Sequence, residues 1–234
     1  MIAYCLADFF NLQLLPTGRE PNKADVRDGV DELVMAATQV MGSANEITVR
    51  LYGGWNGDPP HSRVPLREMT EQVLRSYPGR RGPVRLRLQL AEAPVLDPSL
   101  RLLRSRRRIH YPQFLASIEV PAACPHQGNC TLKSLRSWSR GHCPDLSCGV
   151  QLGDVASGYR QKMVDTLLTA DALAIAHEQL ADVILIASDD DDMLPAILAL
   201  KNRSLRTVCL RRRPLSSHYY AGILERDGVT THQW

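Results

Sequence analysis

The segment 183–195 constrains the fold of this chain more than any other stretch. It begins with five apolar residues, Val-Ile-Leu-Ile-Ala, and runs through Ser188 into four consecutive aspartates at 189–192. A short apolar run rich in branched residues predicts a strand that is buried on both faces, as in parallel sheets. Ligands of open α/β sheets bind at the carboxyl ends of such strands, which is where these aspartates stand.

The acidic run has two interpretations. Four adjacent carboxylates repel one another unless a cation, basic side chains or water screens them, and a hard divalent ion such as Mg²⁺ or Mn²⁺ suits their oxygen atoms. The competing interpretation is a solvated loop that caps the helix expected from Met193, because acids are favoured in the first turn of a helix. The run alone does not decide between them.

Strands and helices alternate along most of the chain. Strands are predicted at 2–7, 47–52, 84–90, 183–188 and 207–210, and helices at 26–41, 66–77, 162–180 and 193–202. This alternation predicts an α/β fold with a parallel, doubly wound sheet and right-handed crossovers. The strand at 84–90 alternates polar and apolar residues, so we expect one solvent-exposed face and a position at the sheet edge. Cys5 and Cys209 fall within predicted strands and are expected in the core.

The pattern breaks down between 92 and 158, where prolines, arginines and four cysteines replace regular periodicity. We therefore divide the chain into a first part of the sheet domain (1–91), a basic and cysteine-rich insertion (92–158) and a second part with the acidic motif (159–234). The cysteines form two pairs that fit a closed, four-thiolate structural zinc site. These are Cys124, Cys130, Cys143 and Cys148. Unbound thiols or an oxidised pair are the alternative.

The net charge of +3 hides an uneven distribution. The stretch 75–108 contains ten arginines and two acids, so the rest of the chain is net acidic. A basic flank beside an acidic centre suits a protein that binds a polyanion such as nucleic acid, whereas a solvated basic surface is the alternative. The candidate nucleic-acid contacts are Arg104, Arg106, Arg107, Arg108 and Lys162. The run 211–213, three arginines after the last predicted strand, is a further candidate for binding phosphates.

Several locations are disfavoured by the sequence. No window of about 18 apolar residues is present, so no membrane span is expected. The first residues lack a basic leader followed by a long apolar region, so no secretory signal is expected. A cytoplasmic location follows as the prediction, and six cysteines in that compartment indicate free thiols or metal ligands rather than disulfides. The oligomeric state stays open.

Carboxylates from three predicted elements are expected to approach one edge of the sheet. Asp8 ends the first strand, and Asp190 and Asp192 follow the acidic strand. The carboxyl ends of parallel strands meet at the same edge, so these acids are expected to lie close together. Asp165 stands near the start of the preceding predicted helix, where a role as a helix N-terminal acid is the alternative.

The order and spacing of these motifs resemble those of NYN-domain proteins, a branch of the PIN-like ribonucleases. The segment 8–11 matches the family pattern Asp-x-x-Asn after the first strand, and 162–165 matches Lys-x-Val-Asp at a helix start. The segment 188–195 matches Ser-Gly-Asp-Gly-Asp-Phe-x-Pro, except that Asp189 and Asp191 replace the glycines and Met replaces Phe. Glycine there would suit unusual backbone angles, which Asp tolerates better than most residues.

The resemblance implies a PIN-like fold and a metal-dependent nuclease that acts on RNA rather than DNA. Asp8, Asp165 and Asp190 would bind Mg²⁺ or Mn²⁺, with Asp192 as a fourth acid that acts directly or through water. Asn11 would position the first acid or contact the substrate. Such ions activate water, orient the scissile phosphate and neutralise charge on the leaving oxygen.

Three alternatives accompany this interpretation. The first is a catalytically degenerate module of the same fold that binds nucleic acid or a protein partner without cutting. The second is a toprim-type domain, which also has Asp-x-Asp after a strand but requires a glutamate where this chain has Asp8. The third applies to one residue, Asp171, which the family pattern also contains. Asp171 is as plausibly a salt-bridge or surface residue as a metal contact.

Overall fold

The structure is a computed structural model that describes residues 1–16, 19–57, 64–101, 105–110, 157–201, 205–215 and 217–234. The chain divides into two units, Met1–Ser105 with Gln161–Trp234 and Arg106–Arg160. The predicted insertion, 92–158, overlaps the second unit. The predicted zinc ligands Cys124, Cys130, Cys143 and Cys148 lie outside the described residues. So do Arg104 and the side chains of Arg107 and Arg108.

Nine strands and five helices are found in the described residues. The strands are β1 (Ile2–Asp8), β2 (Glu46–Tyr52), β3 (Arg80–Arg81), β4 (Val84–Leu90), β5 (Arg106–His110), β6 (Ser157–Gln161), β7 (Val183–Ala187), β8 (Arg206–Arg211) and β9 (Thr230–Gln233). The helices are α1 (Lys23–Val40), α2 (Pro65–Ser76), α3 (Val164–His177), α4 (Leu194–Lys201) and α5 (His218–Arg226), and a 3₁₀ turn, Asp191–Met193, precedes α4. No helix in these ranges is long and apolar enough to cross a membrane.

The first unit contains a seven-stranded sheet in the order β3-β4-β2-β1-β7-β8-β9, and β5 and β6 form a separate two-stranded sheet. All neighbouring strands of the large sheet are parallel except β3, which pairs antiparallel with β4. The predicted α/β fold with a parallel sheet flanked by helices is therefore confirmed. Parallel neighbours need crossover connections, and the helices between successive strands supply them.

The direction of winding reverses between β1 and β7. From β1 the chain moves outward through β2 to β4, and it later returns to β7 on the other side of β1 and moves outward through β8 to β9. In open α/β sheets, the crevice that binds ligands lies at the carboxyl ends of the two strands where the order reverses. The topology therefore marks the ends of β1 and β7 as the candidate ligand crevice.

Apolar side chains cover both faces of the sheet. The layer that contains α1 and α2 buries Cys5 and Leu185, and the layer that contains α3, α4 and α5 buries Leu6 and Ile186. All five residues of β7 are buried, which confirms the prediction of a strand covered on both faces. Cys5 and Cys209 are free, buried core residues, as predicted.

Two details differ from the sequence-based expectations. The strand predicted at 84–90 has the expected exposed face, but β3 pairs with it, so β4 lies next to the edge rather than at it. The prediction that 207–210 is the last strand is wrong, because α5 and β9 follow it. β9 reads Thr-Thr-His-Gln and is largely exposed. It therefore lacks the apolar alternation by which a strand is recognised.

Candidate functional site

Strand register places Asp8 beside the acidic loop. Ala7 of β1 lies opposite Ala187 of β7, so the next residues along the two strands, Asp8 and Ser188, leave the sheet side by side. Asn11 connects the two loops: its backbone N–H donates to Asp8 Oδ1 at 3.3 Å, and its Nδ2 donates to Asp190 Oδ2 at 3.2 Å. One residue therefore orients a carboxylate from each strand.

The acidic loop is ordered by its own side chains. The N–H of Asp190 donates to Ser188 Oγ at 3.1 Å, and Asp190 Oδ1 accepts the N–H of Asp192 at 3.0 Å. Asp190 thus caps the 3₁₀ turn, as an acid at a helix start often does. The capping interpretation of the acidic run is therefore correct for one oxygen of Asp190, while its other oxygen faces Asn11.

Burial and neighbouring acids dominate the electrostatics of the site. Asp8 is only 4% exposed, and this burial raises the pKa of Asp8 to about 6, against hydrogen bonds from Asn11 that lower it and the charges of Asp165 and Asp190 that raise it. Asp165 is exposed, but partial desolvation of its carboxyl group raises its pKa, and the charges of Asp190 and Asp192 add to that shift. The charged neighbours that act on both groups are all carboxylates. Asp8, Asp165 and Asp190 therefore share one negative electrostatic field.

The two acids that stand at the family's glycine positions have a different role. Asp189 Oδ1 accepts the backbone N–H groups of Arg212 and Arg213 at 2.9 and 3.0 Å, and Arg211 Nη2 pairs with Asp191 Oδ1 at 2.9 Å. Neither aspartate has a positive φ, since the non-glycine residues of the described ranges that do are Gln13, Met163 and Gln179. The expectation that Asp stands there to tolerate unusual backbone angles is therefore wrong: Asp189 accepts backbone hydrogen bonds, and Asp191 forms an ion pair with Arg211.

Arg211 and Arg212 donate to other parts of the protein, whereas the Arg213 side chain is 57% exposed, and phosphate binding by 211–213 stays a prediction. The Arg211 side chain is 3% exposed and also donates to the carbonyl oxygen of Asp189 at 2.7 Å. Arg212 Nη1 donates to the carbonyl oxygens of Leu12 and Gln13. These contacts use the guanidinium donors internally, which the local sequence does not reveal. The sequence feature that could have indicated these contacts is that an acidic run and a basic run follow two successive strands.

The carboxylates fit a divalent cation by type but do not form a preformed cage. Their oxygens are the hard donors that Mg²⁺ and Mn²⁺ accept. Within the described ranges, no three His, Cys, Asp or Glu side chains are arranged so that they could hold a metal ion. Acids without a compensating charge repel one another, so separation of their oxygens is the arrangement expected for the acids alone.

Asp171 belongs to a buried structural network. It is 1% exposed, and its Oδ2 accepts from Arg50 Nη2 at 2.9 Å and from the Tyr52 hydroxyl at 2.7 Å. Its Oδ1 accepts the backbone N–H of Val95 at 2.7 Å. Of the roles left open by the sequence, the salt bridge is therefore correct, and its oxygens are not directed to a metal.

The structure describes only some of the basic residues that were predicted to contact nucleic acid. Lys162 is exposed and lines a small pocket with Gly53 and Glu92 on the first unit. Its backbone N–H donates to the carbonyl oxygen of Ser105 at 2.9 Å. Arg106 begins β5 in the second unit. These positions leave the proposed contacts with nucleic acid as predictions.

Comparison of the chain with protein-family models, with curated proteins and with solved structures found no match. The geometry of the acidic site is therefore the basis on which a function is assigned.

Proposed function

We propose that this protein is a metal-dependent nuclease of PIN-like fold that hydrolyses phosphodiester bonds in RNA. The observation that carries the proposal is the negative charge of the acids at the carboxyl ends of β1 and β7, where the direction of winding reverses. Asp8, Asp165 and Asp190 come from three elements, and the neighbours that raise the pKa of Asp8 and Asp165 are other carboxylates. Ion pairs in the acidic loop involve Asp189 and Asp191 instead, among the residues described.

A divalent cation would compensate the charge that these acids concentrate. Asp8, Asp165 and Asp190 would hold Mg²⁺ or Mn²⁺, with Asp192, which is exposed, reaching it directly or through water. When bound, such an ion activates water for attack on the phosphate and neutralises charge on the leaving oxygen. Removal of repulsion among the acids gives the cation part of its binding free energy.

The protein's own groups would prepare the site for this chemistry. Asn11 fixes one oxygen each of Asp8 and Asp190, so the two carboxylates keep a defined separation. Asp8, with its pKa raised to about 6, is ionised and ready for a cation only above that pH. Lys162 is exposed at the start of α3 and would bind a phosphate of the substrate. The arginines 104 and 106–108 would contact the RNA backbone.

Substitution of the acids tests the proposal directly. Asp8→Asn and Asp190→Asn should each reduce Mn²⁺-dependent cleavage of a single-stranded RNA by at least about 100-fold, because each removes a ligand charge that the ion needs for its effect on the reaction. Cleavage is measured by gel electrophoresis of an end-labelled RNA. The matched control is Asp182→Asn, because Asp182 receives its hydrogen bond from Ile2 at the opposite edge of the sheet. Full activity in either site variant, or in excess chelator, refutes the proposal.

A second candidate is a module of the same fold that binds nucleic acid or a protein partner without cutting. One specific observation favours it: the described acids do not form a ready-made metal cage. In that case the purified protein would bind RNA with an affinity that falls as salt rises, yet leave the RNA intact in the presence of Mn²⁺. The same cleavage assay, run beside a filter-binding assay, separates the two candidates.

A further inference from the structure

Three segments at the carboxyl edge of the sheet contact one another. Two of them carry the acids: the β1 loop (8–13) and the acidic loop (188–193). The third is Arg211–Arg213, where β8 ends, and it contacts both loops. We call this segment the arginine clamp. The proposed chemistry needs Asp8 and Asp190 at a defined separation, so a segment that holds both loops has a direct bearing on it.

The clamp fixes the acidic loop on both sides of Asp190. Arg211 Nη2 donates to the carbonyl oxygen of Asp189 at 2.7 Å and pairs with Asp191 Oδ1 at 2.9 Å. Asp189 Oδ1 in turn accepts the backbone N–H groups of Arg212 and Arg213. The residues immediately before and after Asp190 are therefore both fastened to the end of β8.

The same clamp holds the β1 loop. Arg212 Nη1 donates to the carbonyl oxygens of Leu12 and Gln13 at 3.1 and 2.8 Å, and its Nη2 pairs with Glu32 Oε1 of α1 at 3.1 Å. Arg213 also donates to the side chain of Gln13. Gln13 has a φ of 50°, a conformation that non-glycine residues rarely adopt, so its placement depends on such contacts.

The chemistry of arginine suits this role. A guanidinium is a rigid, planar fork that donates to several acceptors at fixed angles, whereas lysine presents a single, mobile charge. Arg211 is nearly buried and uses its fork on a carbonyl, a carboxylate and the carbonyl oxygen of Arg213. Hydrogen bonds in which the donor or the acceptor is charged are stronger and shorter than neutral ones, so the clamp resists displacement of either loop.

We infer that Arg211 and Arg212 are positioning residues that set the separation of Asp8 and Asp190, and that Asp189 and Asp191 are the acidic partners of this clamp rather than metal ligands. The expected change in Mn²⁺ affinity rests on the proposed function, whereas the expected change in hydrogen exchange of the acidic loop does not.

The first experiment measures Mn²⁺ affinity of the full chain by titration calorimetry. Asp189→Asn should weaken binding by less than about fivefold, because an amide oxygen accepts the same backbone hydrogen bonds. Asp191→Asn should have a similarly small effect, because Asp191 forms an ion pair with Arg211 and is not a metal ligand. Asp190→Asn should weaken it by far more. Arg211→Lys should weaken it by about 10-fold, the usual effect of losing a group that orients a metal ligand. Losses in the Asp189 and Asp191 variants that equal the loss in Asp190→Asn would make them ligands and overturn the inference.

The second experiment needs no metal. In chelator, Arg211→Lys should speed hydrogen exchange of the Asp190 and Asp192 amides by at least about 10-fold, because the loop loses its anchor. Arg226→Lys is the matched control, since Arg226 is exposed and pairs with its neighbour Asp227. Unchanged exchange in Arg211→Lys overturns the clamp. If the wild-type protein binds no Mn²⁺, the proposed function fails, and hydrogen exchange still decides the inference about the clamp.

Discussion

Asp8 is the residue at which folding and the proposed chemistry make opposite demands. Its carboxyl group is buried, and burial raises the pKa of Asp8 from 3.8 to about 6. Because the folded protein binds this proton more tightly than the unfolded chain, the stabilising contribution is complete below pH 3.8 and is lost as pH rises through about 6. At neutral pH the ionised carboxylate therefore destabilises the fold.

The first prediction follows from this conflict. Asp8→Asn should raise the free energy of unfolding at pH 8 in chelator by roughly 1–3 kcal/mol, because it removes the cost of burying a charge. The gain should shrink towards zero below about pH 4, where the native carboxyl is protonated. Urea unfolding at the two pH values measures it, with Asp182→Asn as control. A variant that is destabilised equally at both pH values would show that burial of the charge is not the dominant effect.

Helix α1 packs against the chain just after the β1 loop. The helix begins with a capping box, in which the Asn22 side chain accepts from the N–H groups of Ala24 and Asp25. Two turns later, Gly29 lies so close to the residue after the β1 loop that an added Cβ would be 2.8 Å from the carbonyl oxygen of Leu14. Leu14, the residue that follows the β1 loop, therefore lies directly on the helix, and its position depends on the missing side chain of Gly29.

The second prediction compares two glycines in helices. Gly29→Ala should destabilise the protein by about 1–3 kcal/mol, because the methyl group would force the backbone of Leu14 to shift. Gly222→Ala is the matched control, since nothing lies within 4 Å of an added Cβ in α5. That variant should be neutral or gain up to about 1 kcal/mol from helix propensity. Thermal or urea unfolding measures both, and stabilisation of Gly29→Ala would contradict the close packing of Leu14 on the helix.

The chain leaves the first unit after Ser105 and returns to it at Gln161, and these two points are neighbours within that unit. The backbone N–H of Lys162 donates to the carbonyl oxygen of Ser105 at 2.9 Å. The core layers and the seven-stranded sheet belong to elements outside Arg106–Arg160. The first unit therefore contains its own core, with two chain ends that a short linker can join.

The third prediction concerns removal of the second unit. Replacement of 106–160 by a Gly-Ser linker of about four residues should leave a protein that unfolds in one cooperative transition, because closing so short a loop costs little entropy. Circular dichroism during urea unfolding measures this. The full chain should contain one zinc ion, as its cysteine pairs predict, and the shortened chain none by elemental analysis. A shortened chain without a cooperative transition contradicts an independent first unit, and a full chain without zinc contradicts the predicted site.

Local sequence patterns predicted much of the fold. The apolar run at 183–187, the helical spacing at 26–41 and the alternation at 84–90 all appear in the structure as the elements they predict, within a few residues at their ends. Hydrophobic periodicity reports which side of each element is buried, and this is a property of neighbours in sequence. β9 was not predicted, because a short, polar edge strand has no hydrophobic periodicity.

The α/β class and the positions of Asp8 and Asp190 at the ends of buried strands can be read from local sequence, since both follow from residues close together in the chain. Which acids pair with arginines, and which acids raise one another's pKa, depends instead on long-range packing. Asp189 and Asp191 are engaged by arginines about 20 residues away, and Asp171 is engaged by Arg50, 121 residues away. Strand order and register create those pairs, and one side chain's neighbours in space are not encoded in its neighbours along the chain.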